Sequence, residues 1–258
     1  MSAVALKSAL LPVSVPVVAL ALWELGGRSG FLDVNAVPPP SAVLTAAGEE
    51  LASGDLWSAA AHSLTAAFVG WAIAAAAGFL IGLVLGLSGT ARLLSETSID
   101  FARAIPAVAL VPVAILIFGF DIRAELLVVA FAALWPMLVN TAAGISGVAP
   151  ELTHVAATLR LTPTARTVKV VIPAALPQIL VGMRLSMATA VILTAVAEMT
   201  GNPSGIGNEL VLAQTSLRPA TAMLYTLTIG VLGLALNAGL VVTMRALFSR
   251  QLRLDGQA

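Results

Sequence analysis

Long stretches without charged side chains dominate this sequence, and they restrict the folds that the chain can adopt. A membrane-spanning helix needs about 20 mainly apolar residues, within a range of about 17–25. Six stretches approach or exceed that length, and only the fifth contains a charge, at Arg184. They are Ser8–Trp23, Ser63–Ala91, Ala104–Phe120, Leu126–Pro150, Val170–Ala197 and Pro219–Met244. With 10% charged residues, against about 25% in soluble domains, the sequence predicts an all-α membrane protein with six transmembrane helices.

The first stretch is the shortest and has two interpretations. Lys7, the apolar residues after it and the Ala-Leu-Ala sequence at 19–21 also fit a cleaved signal peptide. A single lysine is a weak basic region for such a peptide, so we expect a retained helix.

Residue types that support chemistry are scarce. The absence of cysteine excludes disulfides, thiol catalysis and thiolate metal sites. His62 and His154 are far apart and have no dense group of acidic residues beside them, so we expect no metal site and no enzyme active site. A net charge of zero does not favour nucleic-acid binding. Neither Lys7 nor Lys169 follows a glycine, which excludes a GxxxxGK(S/T) phosphate-binding loop in this sequence.

Basic residues collect in the cytoplasmic loops of membrane proteins, so their distribution predicts orientation. With six alternating helices and a cytoplasmic N-terminus, eight of the 13 basic residues are cytoplasmic, three are external, and Arg103 and Arg184 lie in or near helices. The cytoplasmic set is Lys7, Arg92, Arg160, Arg166, Lys169, Arg245, Arg250 and Arg253, and the external set is Arg28, Arg123 and Arg218. We therefore expect both termini in the cytoplasm.

The longest predicted external connection covers residues 26–60. It contains three consecutive prolines, followed by a short segment in which Leu44, Ala47 and Leu51 share one helical face. We predict a surface helix that does not cross the membrane. Together with the first span, it forms an N-terminal region of residues 1–60.

Small residues in the second span indicate close helix packing. Gly78, Gly82 and Gly86 recur at four-residue spacing, which lets a neighbouring helix approach closely in a membrane. We expect these glycines to pack helices within the subunit or between subunits.

Prolines interrupt the third, fourth and fifth spans, and each one removes a backbone hydrogen bond inside a helix. Broken helices are tolerated at membrane depth only against protein or a water-filled cavity. We therefore predict that these three spans line a path. The predicted hinges are Pro106, Pro136, Pro173 and Pro177.

Polar residues inside predicted spans are candidates to line that path, because exposing them to lipid is costly. The candidates are Arg103, Asn140, Thr141 and Arg184. Each allows a second interpretation. Arg103 could extend to the lipid headgroups at the inner interface, Arg184 could pair with another helix, and Asn140 could hydrogen-bond a neighbouring helix.

The segment between the fourth and fifth spans is basic and too short to cross the membrane. Pro150 suits the first turn of a helix. After it, Leu152, Val155, Ala156 and Leu159 recur with the spacing of one apolar helical face. Thr162 before Pro163 is the start signal of a second short helix. The segment therefore predicts a helix lying on the cytoplasmic face.

This segment resembles the cytoplasmic loop of bacterial ATP-binding-cassette importer permeases. That loop has Glu-Ala-Ala, three residues, Gly, nine residues and Ile-x-Leu-Pro. The same frame here reads His154-Val155-Ala156, then Arg160, then VVIP at 170–173. The spacing is kept, while His154 replaces Glu and Arg160 replaces Gly.

Other stretches resemble the nitrate/sulfonate/taurine-type permeases in particular, from about Leu22 to Arg250. They are VPPPSAVL, RAIPAVALVPVAILIFGF, WPMLVNTAAGISGVAPEL, VIPAALPQILVGMRLSMATAVILTAVAEM and SGIGNEL.

The resemblance implies a type I importer permease fold in the bacterial inner membrane, without a catalytic site of its own. A separate ATPase binds ATP-Mg, this chain binds no cofactor, and an external solute-binding protein delivers a small solute such as a sulfonate, nitrate or taurine. A second permease copy completes the channel within the lipid; a homodimer is favoured, and His154 and Arg160 leave a heterodimer open. The ATPase-coupling residues are Leu152, His154, Val155, Ala156, Leu159 and Arg160.

The resemblance also implies that Glu198 lies near the translocation path, and that Gly205 and Gly207 lead into a short gate helix. The predicted organisation is a permease core at 61–250, with a coupling loop at 148–172, and a cytoplasmic tail at 251–258. A secondary transporter or a channel that needs no ATPase is the alternative. A secondary transporter usually has a larger bundle or inverted repeats, and neither is evident in this sequence.

Overall fold

The computed structural model describes residues 3–31, 33–34 and 36–252, with side chains for those between 14 and 246. All regular elements in this part of the chain are helical. They are α1 (Ala3–Arg28), α2 (Pro40–Ser53), α3 (Asp55–Leu87), α4 (Gly89–Ala104), α5 (Val111–Phe118), α6 (Ile122–Ser146), α7 (Pro150–Thr158), α8 (Pro163–Arg166), α9 (Ile172–Gly201), α10 (Ile206–Thr215) and α11 (Pro219–Leu252), with a 3₁₀ turn at Ala107–Leu110 and a π-helical turn at Thr167–Val171. The predicted all-α class is confirmed.

The centre of the bundle is formed by α3, α6 and α9, which pack along most of their lengths. Their shared core contains Trp71, Ala74, Val129, Ala133, Met187 and Ala190. Because α3 and α9 both contact α6, the buried faces of all three helices meet there. The bundle has two ends: we call them the α7 end, where α3 and α6 finish, and the α10 end, where they begin.

The predicted glycine packing is confirmed, and it lies within one subunit. A Cβ on Gly78 would lie 2.8 Å from the carbonyl oxygen of Leu134, and a Cβ on Gly82 would lie 2.7 Å from that of Leu138. A Cβ on Gly86 would lie 2.5 Å from the Cβ of Ile145. The α3 backbone therefore rests directly on α6, and any larger side chain at these positions would force the two helices apart.

The third predicted span is not continuous. Instead of one helix over Ala104–Phe120, α4 ends at Ala104 and the chain bends by 77° into the 3₁₀ turn and α5. Ile105 and Pro106 are both extended at the bend. Pro106 disfavours the helical conformation of Ile105, the residue before it. With 8 residues, α5 is about 12 Å long, too short to cross a membrane alone.

Four helical segments of the described chain are long and apolar enough to span a membrane, or five if the bent pair of α4 and α5 counts as one. The single spans are Asp55–Leu87, Ile122–Ser146, Pro163–Gly201 and Pro219–Ala246. The first predicted span, Ser8–Trp23, falls within α1, and the side chains of residues 3–13 lie outside the described part. The count of six therefore stays a prediction. Residues 253–258 of the predicted tail also lie outside it.

The other predicted hinges differ in kind. Pro136 and Pro177 lie inside α6 and α9, while Pro173 occupies the first turn of α9. Directly before α9, the chain makes the π-helical turn. Such turns insert an extra residue into a helix and leave its hydrogen bonding locally irregular. The entry to α9 is thus the irregular point of this helix.

The surface helix α2 is present, but its inner face differs from the prediction. Leu44 and Leu51 are exposed, and the residues buried against α11 are Val43, Ala46 and Glu50. Glu50 accepts hydrogen bonds from Arg218 at 2.9 Å and from the Tyr225 hydroxyl at 2.8 Å. A buried carboxylate with two donors therefore fixes α2 to α11, a role that hydrophobic periodicity does not reveal.

Candidate functional site

The short helix predicted after the fourth span is confirmed as α7, and it presents apolar side chains outward. Leu152, Val155 and Leu159 are 41%, 56% and 66% exposed. Ala156 is 1% exposed and faces the bundle. The predicted apolar face therefore has two parts. Ala156 packs against the bundle, whereas Leu152, Val155 and Leu159 remain exposed. Exposed leucine and valine at this spacing suit a protein contact, because water is excluded when a partner covers them.

Arg160 ends α7 in the left-handed conformation, with φ 49°. The amide of Arg160 donates to the carbonyl of Ala157 at 2.9 Å, and the amide of Leu161 donates to that of Ala156 at 3.1 Å. This bond pair is the Schellman motif, in which the left-handed residue is usually glycine. The family pattern has glycine at this position, and the turn persists here with arginine at an energetic cost.

A basic cavity of about 380 Å³ lies beside α7. Arg92, His154 and Arg166 line it, together with uncharged residues near the ends of α3, α6 and α7. Among the residues with described side chains, no acidic one lines it. His154, predicted for ATPase coupling, therefore borders this cavity. The cavity can accept an anionic group, such as a carboxylate from a partner.

Asn140 and Thr141 are both on α6 but have different surroundings. Asn140 donates from Nδ2 to the Pro136 carbonyl at 2.8 Å, and its Oδ1 accepts from Gln178 Nε2 at 2.8 Å. Asn140 therefore hydrogen-bonds a neighbouring helix through Gln178, a partner that sequence analysis missed, and its place beside the path stays a prediction. Thr141 is fully buried against Gly82, so it packs α6 on α3 and faces no open path.

The two arginines of the predicted path are both exposed. Arg103 forms an ion pair with Asp100 at 3.0 Å on α4 and lines a cavity of about 320 Å³. Arg184 lies near the middle of α9 and has no ion-pair or hydrogen-bond partner among the residues with described side chains. Gln178 and Val181 are exposed on the same face, which is therefore partly polar at mid-span.

Glu198 is buried, 1% exposed, at the α10 end. Its Oε1 accepts from Ser63 Oγ at 2.6 Å, and its Oε2 accepts from the Gly207 amide at 2.8 Å. The carboxylate thereby caps the first turn of α10, where free amides favour an anion. Glu198 is therefore buried in this structure, and its place near the translocation path stays a prediction.

The two glycines of the SGIG sequence are required by this cap. Gly205 has φ 94°, and a Cβ there would lie 2.2 Å from the Glu198 carboxylate. A Cβ on Gly207 would lie 2.4 Å from the carbonyl oxygen of Ala195. The chain can therefore pass this close to α9 only with glycine at both positions.

A second carboxylate lies beside Glu198. Glu125 on α6 is 4% exposed, and its Oε2 contacts His62 Nε2 at 3.0 Å and Asn202 Nδ2 at 2.7 Å. One possible ligand atom each from His62, Glu125 and Glu198 lies within 4.8 Å of the other two. The statement that His62 has no carboxylate cluster near it is wrong in three dimensions. Folding joins α3, α6 and α9 at this point, and no local signal connects such distant positions.

The comparisons with known proteins agree with the fold. Residues 74–253 match the model of the family described as "Binding-protein-dependent transport system inner membrane component". The permease protein SsuC of Bacillus subtilis (strain 168), named for transport of aliphatic sulfonates, is 35% identical over 193 residues, covering 75% of this chain and 70% of SsuC. The bicarbonate transport system permease protein CmpB of Synechococcus elongatus is 29% identical over 245 residues, covering 90% and 87%.

A solved structure of the MetNI methionine ABC transporter in inward-facing conformations superposes with a TM-score of 0.58, at 17% identity. The match covers 70% of this chain and 94% of the MetNI chain, which shows a shared fold. The family match covers residues 74–253, and the alignment with SsuC covers 75% of this chain. The chain therefore belongs to the inner-membrane permease components of binding-protein-dependent ABC importers.

Proposed function

We propose that this chain forms, with a second copy of itself, the translocation path for a small oxyanion, and that α7 transmits movement from a separate ATPase. In this proposal the ATPase subunits bind ATP-Mg and hydrolyse it, and this chain binds no nucleotide. An external solute-binding protein delivers the substrate at the α10 end. The observation that carries the coupling proposal is the exposed apolar face of α7.

Three apolar side chains on α7 and its C-cap are not covered by the described part of the chain, and α7 lies at the end of the bundle where a peripheral subunit can reach it. Beside them, Arg92, His154 and Arg166 line a cavity to which the described residues contribute no acidic side chain. The ATPase surface that docks here is therefore apolar at its centre, with a carboxylate that enters the cavity. Such a carboxylate compensates for the histidine that stands where the family pattern has glutamate.

Arg184 is evidence for two parts of the proposal, the translocation path and the second permease copy. An arginine at the bilayer centre costs about 2.5–3.5 kcal/mol on insertion scales, so its face of α9 is unsuited to lipid. Gln178 and Asn140 extend that polar face along the same side of the bundle. The face is covered by the partner permease and by water in the path. A homodimer is sufficient for this; a heterodimer with another permease is the alternative.

The substrate class rests on chemistry shared by the relatives. The proteins named for aliphatic sulfonate and bicarbonate transport both handle small oxyanions. Arg184 supplies a mid-span positive charge that such an anion can bind.

We also propose the orientation in which α7 and both termini are cytoplasmic, from the eight-to-three distribution of basic residues. The core spans residues 61–250, with residues 1–60 as an N-terminal helix and external surface helix.

The test of coupling uses Leu159, the most exposed apolar residue of the α7 face. We expect Leu159→Asp to abolish transport-coupled ATP hydrolysis in vesicles while membrane insertion and yield stay normal, because a desolvated carboxylate opposes docking. Leu159→Met is the matched control, since it keeps an apolar side chain, and it should retain coupling. A cysteine at Val155 should also cross-link to the ATPase. Normal coupled hydrolysis in Leu159→Asp, with no cross-link from position 155, excludes α7 as the transmission element.

A further inference from the structure

The buried cluster at the α10 end contains more negative charge than its protein partners balance. Glu125 and Glu198 are 4% and 1% exposed. Within the part of the chain with described side chains, the one ion-pair partner of either carboxylate is His62, which pairs with Glu125. Two carboxylates and one imidazole therefore meet in a site that is nearly closed to water. Buried charges are stabilised by pairing or by coordination of a metal ion, because desolvation of an unpaired ion is costly.

One oxygen of this cluster receives no hydrogen bond from the donors of the described residues. Glu125 Oε1 is buried and has no hydrogen-bond partner among the described residues, whereas Oε2 contacts both His62 and Asn202. A buried carboxylate oxygen without a donor is unfavourable. Glu125 Oε1 therefore has unused lone pairs in a residue that belongs to a group of three potential metal ligands.

We propose that His62, Glu125 and Glu198 bind a divalent transition-metal ion, with zinc as the best-matched ion. Imidazole nitrogen and carboxylate oxygens are ordinary zinc ligands, at about 2.0–2.2 Å from the metal. Two ligands of a tetrahedral site at those bond lengths lie roughly 3.3 Å apart. His62 Nε2 and Glu125 Oε2 are 3.0 Å apart, and the three ligand atoms lie within 4.8 Å of one another. A divalent ion with neutral His62 balances both carboxylates.

The surroundings of the cluster already hold one ligand in place. Ser63 Oγ and the Gly207 amide donate to the two oxygens of Glu198, which fixes the plane of its carboxylate. Such outer hydrogen bonds are characteristic of metal ligands. Asn202 Nδ2 lies 3.3 Å from His62 Nε2, and a half-turn of this amide presents Oδ1 as a further oxygen ligand. The bound ion therefore joins α3, α6 and the end of α9 through one centre.

This proposal does not depend on the substrate or on the ATPase, so it can be tested on the purified full-length chain. The protein in detergent is loaded with zinc chloride, passed over a chelating resin and assayed for metal by mass spectrometry. We expect one zinc ion per chain in the wild type and background levels in Glu125→Gln and His62→Gln. Glu50→Gln is the matched control, because Glu50 is also buried but lies outside the cluster, and it should retain the zinc.

A second measurement needs only the wild type, in case the variants are poorly folded. Zinc added to chelator-stripped protein should raise its unfolding temperature, while the same concentration of magnesium should not, because magnesium disfavours nitrogen ligands. Wild-type protein that retains no more zinc than Glu125→Gln and shows no zinc-dependent shift overturns the metal site. The cluster is then a hydrogen-bonded group that shares a proton.

Discussion

Gly207 offers a direct test of how Glu198 and α10 are held together. A Cβ at this position would lie 2.4 Å from the carbonyl oxygen of Ala195, 2.7 Å from the Cβ of Glu198 and 3.0 Å from the amide nitrogen of Met199. The first and last of these are backbone atoms of α9, so they cannot move aside as a flexible side chain can. Gly207→Ala must therefore push α10 away from α9.

The expected change in the free energy of unfolding combines two destabilising effects and one stabilising effect. Overpacking costs about 1–3 kcal/mol, and weakening the hydrogen bond from the Gly207 amide to Glu198, now 2.8 Å, costs about 1.5–3 kcal/mol. Alanine returns about 1 kcal/mol of helix propensity. We expect a net destabilisation of about 1.5–5 kcal/mol, or a fall in unfolding temperature of roughly 3–20 °C for a chain of this size.

The assay is thermal unfolding of the purified chain in detergent, followed by loss of the monodisperse peak on size-exclusion chromatography. Gly230→Ala on α11 is the matched control, because nothing lies within 4 Å of its added Cβ. That variant should be as stable as the wild type or slightly more so, by about 1 kcal/mol. If Gly207→Ala unfolds at the same temperature as Gly230→Ala, the close approach of α10 to α9 is refuted.

Three further predictions concern single side chains. Arg160→Gly should raise the unfolding temperature and Arg160→Ala should not, because only glycine relieves the left-handed φ of 49°, which costs about 1–2 kcal/mol. Tyr225→Phe should lower stability by about 1–3 kcal/mol in thermal unfolding, since it removes the donor to buried Glu50; an unchanged value contradicts that hydrogen bond. Burial, and then the charges of Asp55 and Glu50, raise the pKa of Glu209. Its raised folded-state pKa means that the stability it contributes is present below its unfolded value of about 4.3 and is lost as pH rises through the folded pKa. Glu209→Gln should therefore flatten the fall of unfolding temperature with rising pH, and equal slopes in both proteins contradict this.

Hydropathy and local signals in the sequence were sufficient to predict the all-α class and the presence of α7. An uncharged stretch long enough to span a membrane indicates that lipid surrounds the helix. This signal comes from the composition of that stretch alone. The start of α7 at Pro150 and its end near Arg160 depend on contacts within four or five residues, so they can be read from neighbouring positions. The spacing of Gly78, Gly82 and Gly86 likewise predicted close packing, although not that α6 would be the partner.

The polar sites depended on how the long helices align with one another. His62 and Glu125 are separated by 63 positions, and Ser63 and Glu198 by 135, yet each pair is in hydrogen-bond contact. Glu50 and Tyr225 are separated by 175. An axial shift of one helix by a single turn, about 5.4 Å, would break such contacts without changing the hydropathy of any segment. The sequence by itself therefore determined the all-α class and the short helix α7. Only the tertiary structure decided where the third predicted span bends and, through the packing of α3, α6 and α9, which buried carboxylates meet.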